Sequence, residues 1–360
     1  MNHTPCNKIT GTGSYIPKRR IPNTEFLTKA FYDPSGQKLE KPNREIVSKF
    51  LEITTIAERR YVKEEVMTSD IAFWAGEAAI QSAGIDKESL DYIIVAHNFG
   101  DVTGCGGHSD IVPSLAARVK HKLGIANPET VAYDMIFGCP GWLEALIQAN
   151  YFLRSGDAKR ALVIGADVLS RISDPHDRDS MIYADGAGAV VLEALACEKP
   201  AGVLAHKTRS DTLHHSQMLY MGPSYHSENG SEDALFLKMH GRKLYQYALE
   251  TVPQALKACL EKSGILLTDI KKVLIHQANG KMDDAILKRL YELHGEDQIP
   301  EGIMPMTISW LGNSSVATLP TLLDLILKGK LEGEELHEGD AILFASVGAG
   351  MNVNAMVYRL

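Results

Sequence analysis

The chain repeats itself, and the repeat limits what it can fold into. Gly84-Ile85, then Leu90 and the apolar run Ile93-Ile94-Val95, recurs as Gly264-Ile265, Ile270 and Val273-Leu274-Ile275, with 84 matching 264 and 95 matching 275. In both copies a helical pattern with small residues, Ala78-Ala79 and Ala255 to Ala258, runs up to the glycine, which predicts a left-handed helix cap there. A second pair follows in the same order. Ser155-Gly156-Asp157-Ala158 leads into Ala161-Leu162-Val163-Ile164, and Glu338-Gly339-Asp340-Ala341 leads into Leu343-Phe344-Ala345, its register shifted by a short insertion. These runs are apolar on both faces, as strands covered by helices on each side are. The reading is a duplicated α/β unit, residues 1–196 and 203–360, with the boundary in the turn-rich stretch Cys197 to Gly202.

Duplication directs attention to the strand-to-helix turns. Equivalent turns of the two halves should face each other near a pseudo-twofold axis, and ligands bind at the carboxyl ends of such strands. The first half offers Phe137-Gly138-Cys139-Pro140-Gly141-Trp142, followed by Leu143, Leu146 and Ile147 at helical spacing. Pro140 suits the first position of a helix and places Cys139 at its N-cap, where the helix dipole should lower the thiol pKa and favour the thiolate. The corresponding turn of the second half is Leu311-Gly312-Asn313-Ser314-Ser315, where Asn313 is either a plain helix cap or an amide donor directed into a site. His276, in His276-Gln277-Ala278-Asn279-Gly280-Lys281, follows the run ending at Ile275 and falls on the same predicted edge. A thiolate with His and Asn donors can accept an acyl group and stabilise a developing oxyanion. The ending Ser346 to Ala355 is glycine-interrupted and either brings backbone N–H groups to a ligand or forms a β-bulge.

Composition narrows the function classes. With 37 Lys and Arg against 45 Asp and Glu, a net charge of −8 gives no bulk attraction to nucleic acid or anionic membrane. No stretch approaches the apolar length of a membrane span, and Met-Asn-His-Thr-Pro-Cys lacks a signal pattern, so a cytoplasmic protein is expected. Five scattered cysteines without paired spacing predict free thiols rather than disulfides. Cys105-Gly-Gly-His108 is half of a metal motif with no second half, so no metal site is predicted.

Taken together, the Cys139 turn, Asp185-Gly186-Ala187-Gly188-Ala189, His276-Gln277-Ala278-Asn279, Gly312-Asn313-Ser314 and the Gly348 to Ala355 ending resemble β-ketoacyl-acyl-carrier-protein synthase III of the thiolase superfamily. Gly11 to Pro17, Ile56-Ala57-Glu58-Arg59-Arg60 and Ser69-Asp70 extend the likeness over nearly the whole chain. The Cys-His-Asn set separates this type from thiolases, with a second Cys, and from elongating synthases, with two His. The resemblance implies a five-layer αβαβα fold, a homodimer, no metal or redox cofactor, and acyl-coenzyme A or acyl-carrier protein with malonyl-carrier protein as substrates. It assigns Cys139 as the acylated nucleophile, the N–H groups of Cys139 and Gly350 as the oxyanion hole, and His276 and Asn313 as stabilisers of the enolate formed by decarboxylation.

Other positions depart from the family pattern. A Trp and an Arg that sandwich the adenine of coenzyme A in the family correspond to Lys49 and Ile53, close to an inserted segment, Asp33 to Arg44. The Asp177-Arg178 pair sits one residue closer to Asp185 than is usual. Lys281 occupies the position of an Arg that meets the acidic carrier protein, with Lys288 and Arg289 on the same helical face; the alternative is a solvated face balanced by Asp283 and Asp284. The resemblance also implies that Asn279, in the His276-Gln277-Ala278-Asn279 motif, binds substrate or carrier. Val112, before Pro113-Ser114, takes the place of a bulky residue that closes the partner's acyl pocket, which predicts a primer longer than acetyl. The competing functions are an acyltransferase that uses acyl-Cys139 without decarboxylation, and a non-catalytic partner subunit of an active ketosynthase.

Overall fold

A computed structural model describes residues 4–105, 107–226 and 234–360. In chain order its main elements are β1 (Thr4–Tyr15), α1 (Asn43–Thr54), α2 (Thr68–Ala83), β2 (Tyr92–Ala96), α3 (Leu115–Leu123), β3 (Val131–Met135), α4 (Gly141–Ser155), β4 (Arg160–Val168) and β5 (Asp185–Cys197). They continue with β6 (Gly202–Ser210), α5 (Gly241–Ser263), β7 (Ile270–Ile275), α6 (Gly280–Leu293), α7 (Thr318–Leu327), β8 (Ala341–Gly348) and β9 (Asn352–Arg359). Gly84, with φ 65°, and Gly264, with φ 70°, close α2 and α5 in the left-handed conformation that the repeat predicts.

Strand order is β7-β8-β9-β6-β1-β5-β4-β2-β3, and β6 meets β1 through one residue pair, Asn7 with Gly202. The strands therefore form two groups that touch at a corner. Side-chain alternation explains the layers. Ile93 and Val95 of β2 pack outward with Ile71 and Ala75 of α2, whereas Ile94 points inward to Leu146 of α4. In the other group Val273 and Ile275 of β7 pack with Leu256 of α5 and Ile286 of α6, while Leu274 points inward to Leu323 of α7. The order is α2/α3, sheet, α4/α7, sheet, α5/α6: the five-layer αβαβα arrangement of the thiolase fold. Because α4 and α7 are apolar on both sides, they carry the turns before them into the centre of the molecule.

One expectation is corrected here. Cys6 and Cys197 form a disulfide, with their Cα atoms 6.0 Å apart, while Cys105, Cys139 and Cys259 stay free. Residue spacing gives no hint of this pair, which lies 191 residues apart and meets only because β1 runs antiparallel beside β5.

Candidate active site

A cavity of about 1090 Å³ opens at the carboxyl ends of β2, β7 and β8, and Cys139, His276, Asn279 and Asn313 all line it. The turn before α4 and the end of β8 meet there in backbone contact. A Cβ on Gly138, where φ is 67°, would lie 2.7 Å from the Ala349 nitrogen, and one on Gly348 would lie 2.5 Å from the Cys139 nitrogen. Both positions need glycine for that approach. Gly350, with φ 78°, is the next turn residue beyond this contact.

Hydrogen-bonded helix begins at Gly141, with Pro140 in the cap position and Cys139 one residue further out. The expected drop in the thiol pKa does not occur: burial pushes it up to about 11 and the nearby Asp167 charge adds to the rise, against a lowering hydrogen bond from Ser315. Cys139 faces the cavity, but the desolvation of a deep pocket outweighs a helix terminus. Ser315 Oγ donates to Cys139 Sγ at 3.3 Å.

His276 continues β7, its backbone N–H donating to Ala345 of β8 at 2.8 Å. Burial lowers its pKa to about 4, and its Nδ1 has no partner among the described residues. The ring is neutral at pH 7 and offers an N–H donor and a lone pair in place of a charge. The neighbouring Gln277 fixes the approach to Asn313: its Nε2 donates to Pro305 O at 3.0 Å and its Oε1 accepts from the N–H groups of Thr307 and Ile308, each at 2.8 Å. Asn313 does not cap the helix that follows. Its Oδ1 accepts from Ser315 N at 2.8 Å, which leaves the amide NH₂ as the free end at the cavity wall. Asn279 does cap a helix, accepting from Met282 N at 3.2 Å, and lines the cavity as well.

At the mouth the exposed cations Lys41, Lys49, Arg178 and Arg242 line the opening. Lys49 and Ile53 take their places there beside the inserted segment, which folds back on itself with Asp33 N donating to Gln37 O at 2.9 Å. Under this rim lies Lys238, a residue sequence reasoning passed over because it sits in an unremarkable strand. It is 1% exposed, pairs with Asp174 at 2.5 Å and Asp177 at 3.3 Å, and stands 3.3 Å from the centre of the Tyr225 ring. Asn98 and Asp167, tied to Ser315, were also passed over; the only available signal was that both lie at strand ends.

The remaining candidates lie elsewhere. Val112 is 82% exposed and does not line its own chain's cavity. Lys281 pairs with Glu52 at 3.5 Å, and Lys288 and Arg289 border a shallow groove between α5 and α6. Asp283 does not balance them on a solvated face. It is fully buried, both carboxyl oxygens lack partners among the described residues, and burial raises its pKa well above the usual carboxylate range. Among the described residues no group of three metal-ligating side chains gathers, at Cys105 and His108 or elsewhere, and no helix is long and apolar enough to cross a membrane.

This fold and cavity are those of an acyl-transferring condensing enzyme of the thiolase superfamily. Residues 133–212 match the family model of 3-oxoacyl-[acyl-carrier-protein] synthase III, and residues 260–360 match the model of its C-terminal part. A β-ketoacyl-[acyl-carrier-protein] synthase III of Cereibacter sphaeroides is 30% identical over 355 residues, 98% of each chain. The crystal structure of 3-oxoacyl-[acyl-carrier-protein] synthase III from Aquifex aeolicus superposes with TM-score 0.78 at 29% identity, covering 98% of this chain and 100% of that one. The Thermus thermophilus synthase III gives 0.79 at 29%, covering 98% of both. The chain belongs to the β-ketoacyl-acyl-carrier-protein synthase III family.

Proposed function

We propose that this protein performs a two-step decarboxylative Claisen condensation on thioesters, with Cys139 as the acylated nucleophile. The observation that carries the reading is the convergence of Cys139, a neutral His276 and the free amide of Asn313 on one cavity. In the first step Sγ attacks the carbonyl of an acyl thioester of coenzyme A or carrier protein. The carbonyl oxygen becomes an oxyanion held by the N–H groups of Cys139 and Gly350, the carrier thiolate leaves, and the thiol proton goes with it. In the second step a malonyl thioester loses carbon dioxide, and the electron pair left behind forms an enolate whose oxygen accepts from His276 and Asn313. That carbon attacks the acyl carbonyl and expels the Cys139 thiolate, which takes up a proton from solvent and restores the enzyme.

Residues 1–196 and 203–360 act as the two halves that meet at this site, and no cofactor beyond the substrates is needed. The acidic carrier protein docks on Lys281, Lys288 and Arg289, with Asn279 contacting the substrate. The enzyme works in the cytoplasm as a homodimer in which Val112, exposed on a single chain, enters the partner's acyl pocket. Valine there, with a cavity of about 1090 Å³, favours a primer longer than acetyl. Mass spectrometry of the intact protein after incubation with two- to twelve-carbon donors, as coenzyme A and carrier-protein thioesters, tests this. A donor-specific mass gain that is absent in Cys139→Ala supports the acyl-enzyme and reports chain length and carrier. An adduct that forms without later carbon dioxide release from malonyl-carrier protein identifies a plain acyltransferase. No adduct from any donor overturns the catalytic reading, and acetyl transfer tenfold faster than octanoyl overturns the long primer.

A further inference from the structure

We propose that Ser315 is a positioning residue for the nucleophile, its hydroxyl proton aimed at Cys139 Sγ by a fixed chain of donors that begins at the buried Asp167. The proposal rests on the reading of Cys139 as the reacting thiol. Asp167, at the end of β4 and 1% exposed, accepts from the Asn98 backbone N–H at 2.9 Å and from Asn98 Nδ2 at 2.7 Å. Asn98 Nδ2 also donates to Ser315 Oγ at 3.0 Å. A carboxamide nitrogen has two protons and accepts none, so both protons are spent and Ser315 Oγ is the acceptor in that contact. The flipped amide is excluded because it would set two oxygens against each other at 2.7 Å. Ser315 has one proton left to place: Sγ takes it at 3.3 Å, in competition with the Asp167 carboxylate, whose pKa the Ser315 hydroxyl also lowers.

Local backbone supports the same arrangement. Ser315 has φ 54°, a left-handed conformation uncommon for a residue with a side chain, and its N–H is held there by Asn313 Oδ1 at 2.8 Å. Asn313 and Ser315 thus set each other: one bond frees the Asn313 amide, and the same bond fixes the origin of the Ser315 hydroxyl. A hydroxyl aimed at sulfur favours the thiolate and opposes the burial that disfavours it. The other groups facing the thiol are Asp167 from β4, whose charge raises its pKa, the Tyr183 phenol, and the neutral His276 beyond β7. His97, before Asn98, is engaged with Asp134 at 2.9 Å. Loss of the Ser315 hydroxyl therefore moves the thiol titration upward.

The test is the rate of Cys139 alkylation by iodoacetamide from pH 6 to 10, resolved by peptide mass on the full chain, with Cys139→Ala as the blank. Ser315→Ala should react about tenfold more slowly across this range, equivalent to an upward shift of about one pH unit. Ser315→Gly, which suits the positive φ and also lacks the hydroxyl, should shift equally and guards against a fold defect in the alanine variant. Asn98→Ala, which leaves the hydroxyl free to turn away, should slow the reaction about threefold, less than half a unit. Superimposable profiles for wild type and both Ser315 variants overturn the proposal while leaving Cys139 as the nucleophile. A wild-type Cys139 that resists both alkylation and acylation overturns that reading and this one together.

Discussion

The floor of the cavity and its mouth differ in how their polar groups are satisfied. On the floor, Asp167, Asn98, Ser315 and Asn313 form a linked set of hydrogen bonds between residues at strand ends and turns, and among the described residues the thiol, the His276 ring, the Asn313 amide and the Tyr183 hydroxyl keep free valences. At the mouth, Lys238 neutralises Asp174 and Asp177 beneath a rim of exposed cations drawn from stretches around residues 41–49, 178 and 242. The floor is built from turns at strand ends that are tied to one another by hydrogen bonds, whereas the mouth is lined by exposed side chains from separate helix and loop segments. Under the proposed function, the contrast assigns reaction type to the first region and choice of donor to the second.

If that division holds, the largest loss comes from the floor. His276→Ala and Asn313→Ala should each reduce condensation about 10²- to 10³-fold while still allowing Cys139 to be acylated, as single-turnover mass spectrometry would show; loss of acylation itself would break the division. Lys238→Met should instead act on stability. It leaves two buried carboxylates without their cation, at a cost of about 3–5 kcal/mol that thermal unfolding would register, and a wild-type Tm would show that the cluster is not a structural unit.

A pH effect of similar size belongs to the floor. His276 has a folded pKa of about 4, below its unfolded value, so its contribution to stability is complete above about pH 6.5 and is lost as pH falls toward 4. The unfolded chain binds the proton first, and the loss approaches about 3 kcal/mol. Denaturant titrations of wild type and His276→Ala should diverge below pH 6.5 and run parallel above it. Asp283 has the opposite sign, its folded pKa lying above the unfolded one, so it costs stability increasingly as pH rises. Asp283→Leu should raise stability by about 1–3 kcal/mol, more at pH 8 than at pH 5, measured by the same titrations. Smallest is a rim charge: Arg178→Ala should raise the donor KM about threefold to tenfold, roughly 1 kcal/mol, with kcat unchanged; an altered kcat would join the rim to the chemistry.

How much could be read from the sequence follows the same line. Cys139, His276 and Asn313 were visible because each adjoins an apolar strand run or opens a helix, and the repeat related their turns. The α/β class followed from strands apolar on both faces, and the five layers from the family resemblance. The Asp167-Asn98-Ser315 set was not visible, since its members lie 69 and 217 residues apart and meet only after the sheets form. The disulfide was hidden by the same distance in sequence. The thiol pKa was misjudged for another reason: a motif reports the helix terminus beside Cys139 but not the depth of the pocket around it. Asp283 looked like one of two surface acids because the pattern of α6 does not reveal that α1 packs against its start, where a Cβ on Gly280 would lie 2.3 Å from the Thr55 hydroxyl.

The contact between Gly138 and Ala349 has a consequence for how this chain can change over time. With a Cβ at 138 only 2.7 Å from the Ala349 nitrogen, neither turn can gain bulk unless the other retreats. Two segments more than two hundred residues apart must therefore accept mutations as a pair. The two turns behave as one inheritance unit, and recombination that exchanges one of them for that of a distant relative should fail first at this seam.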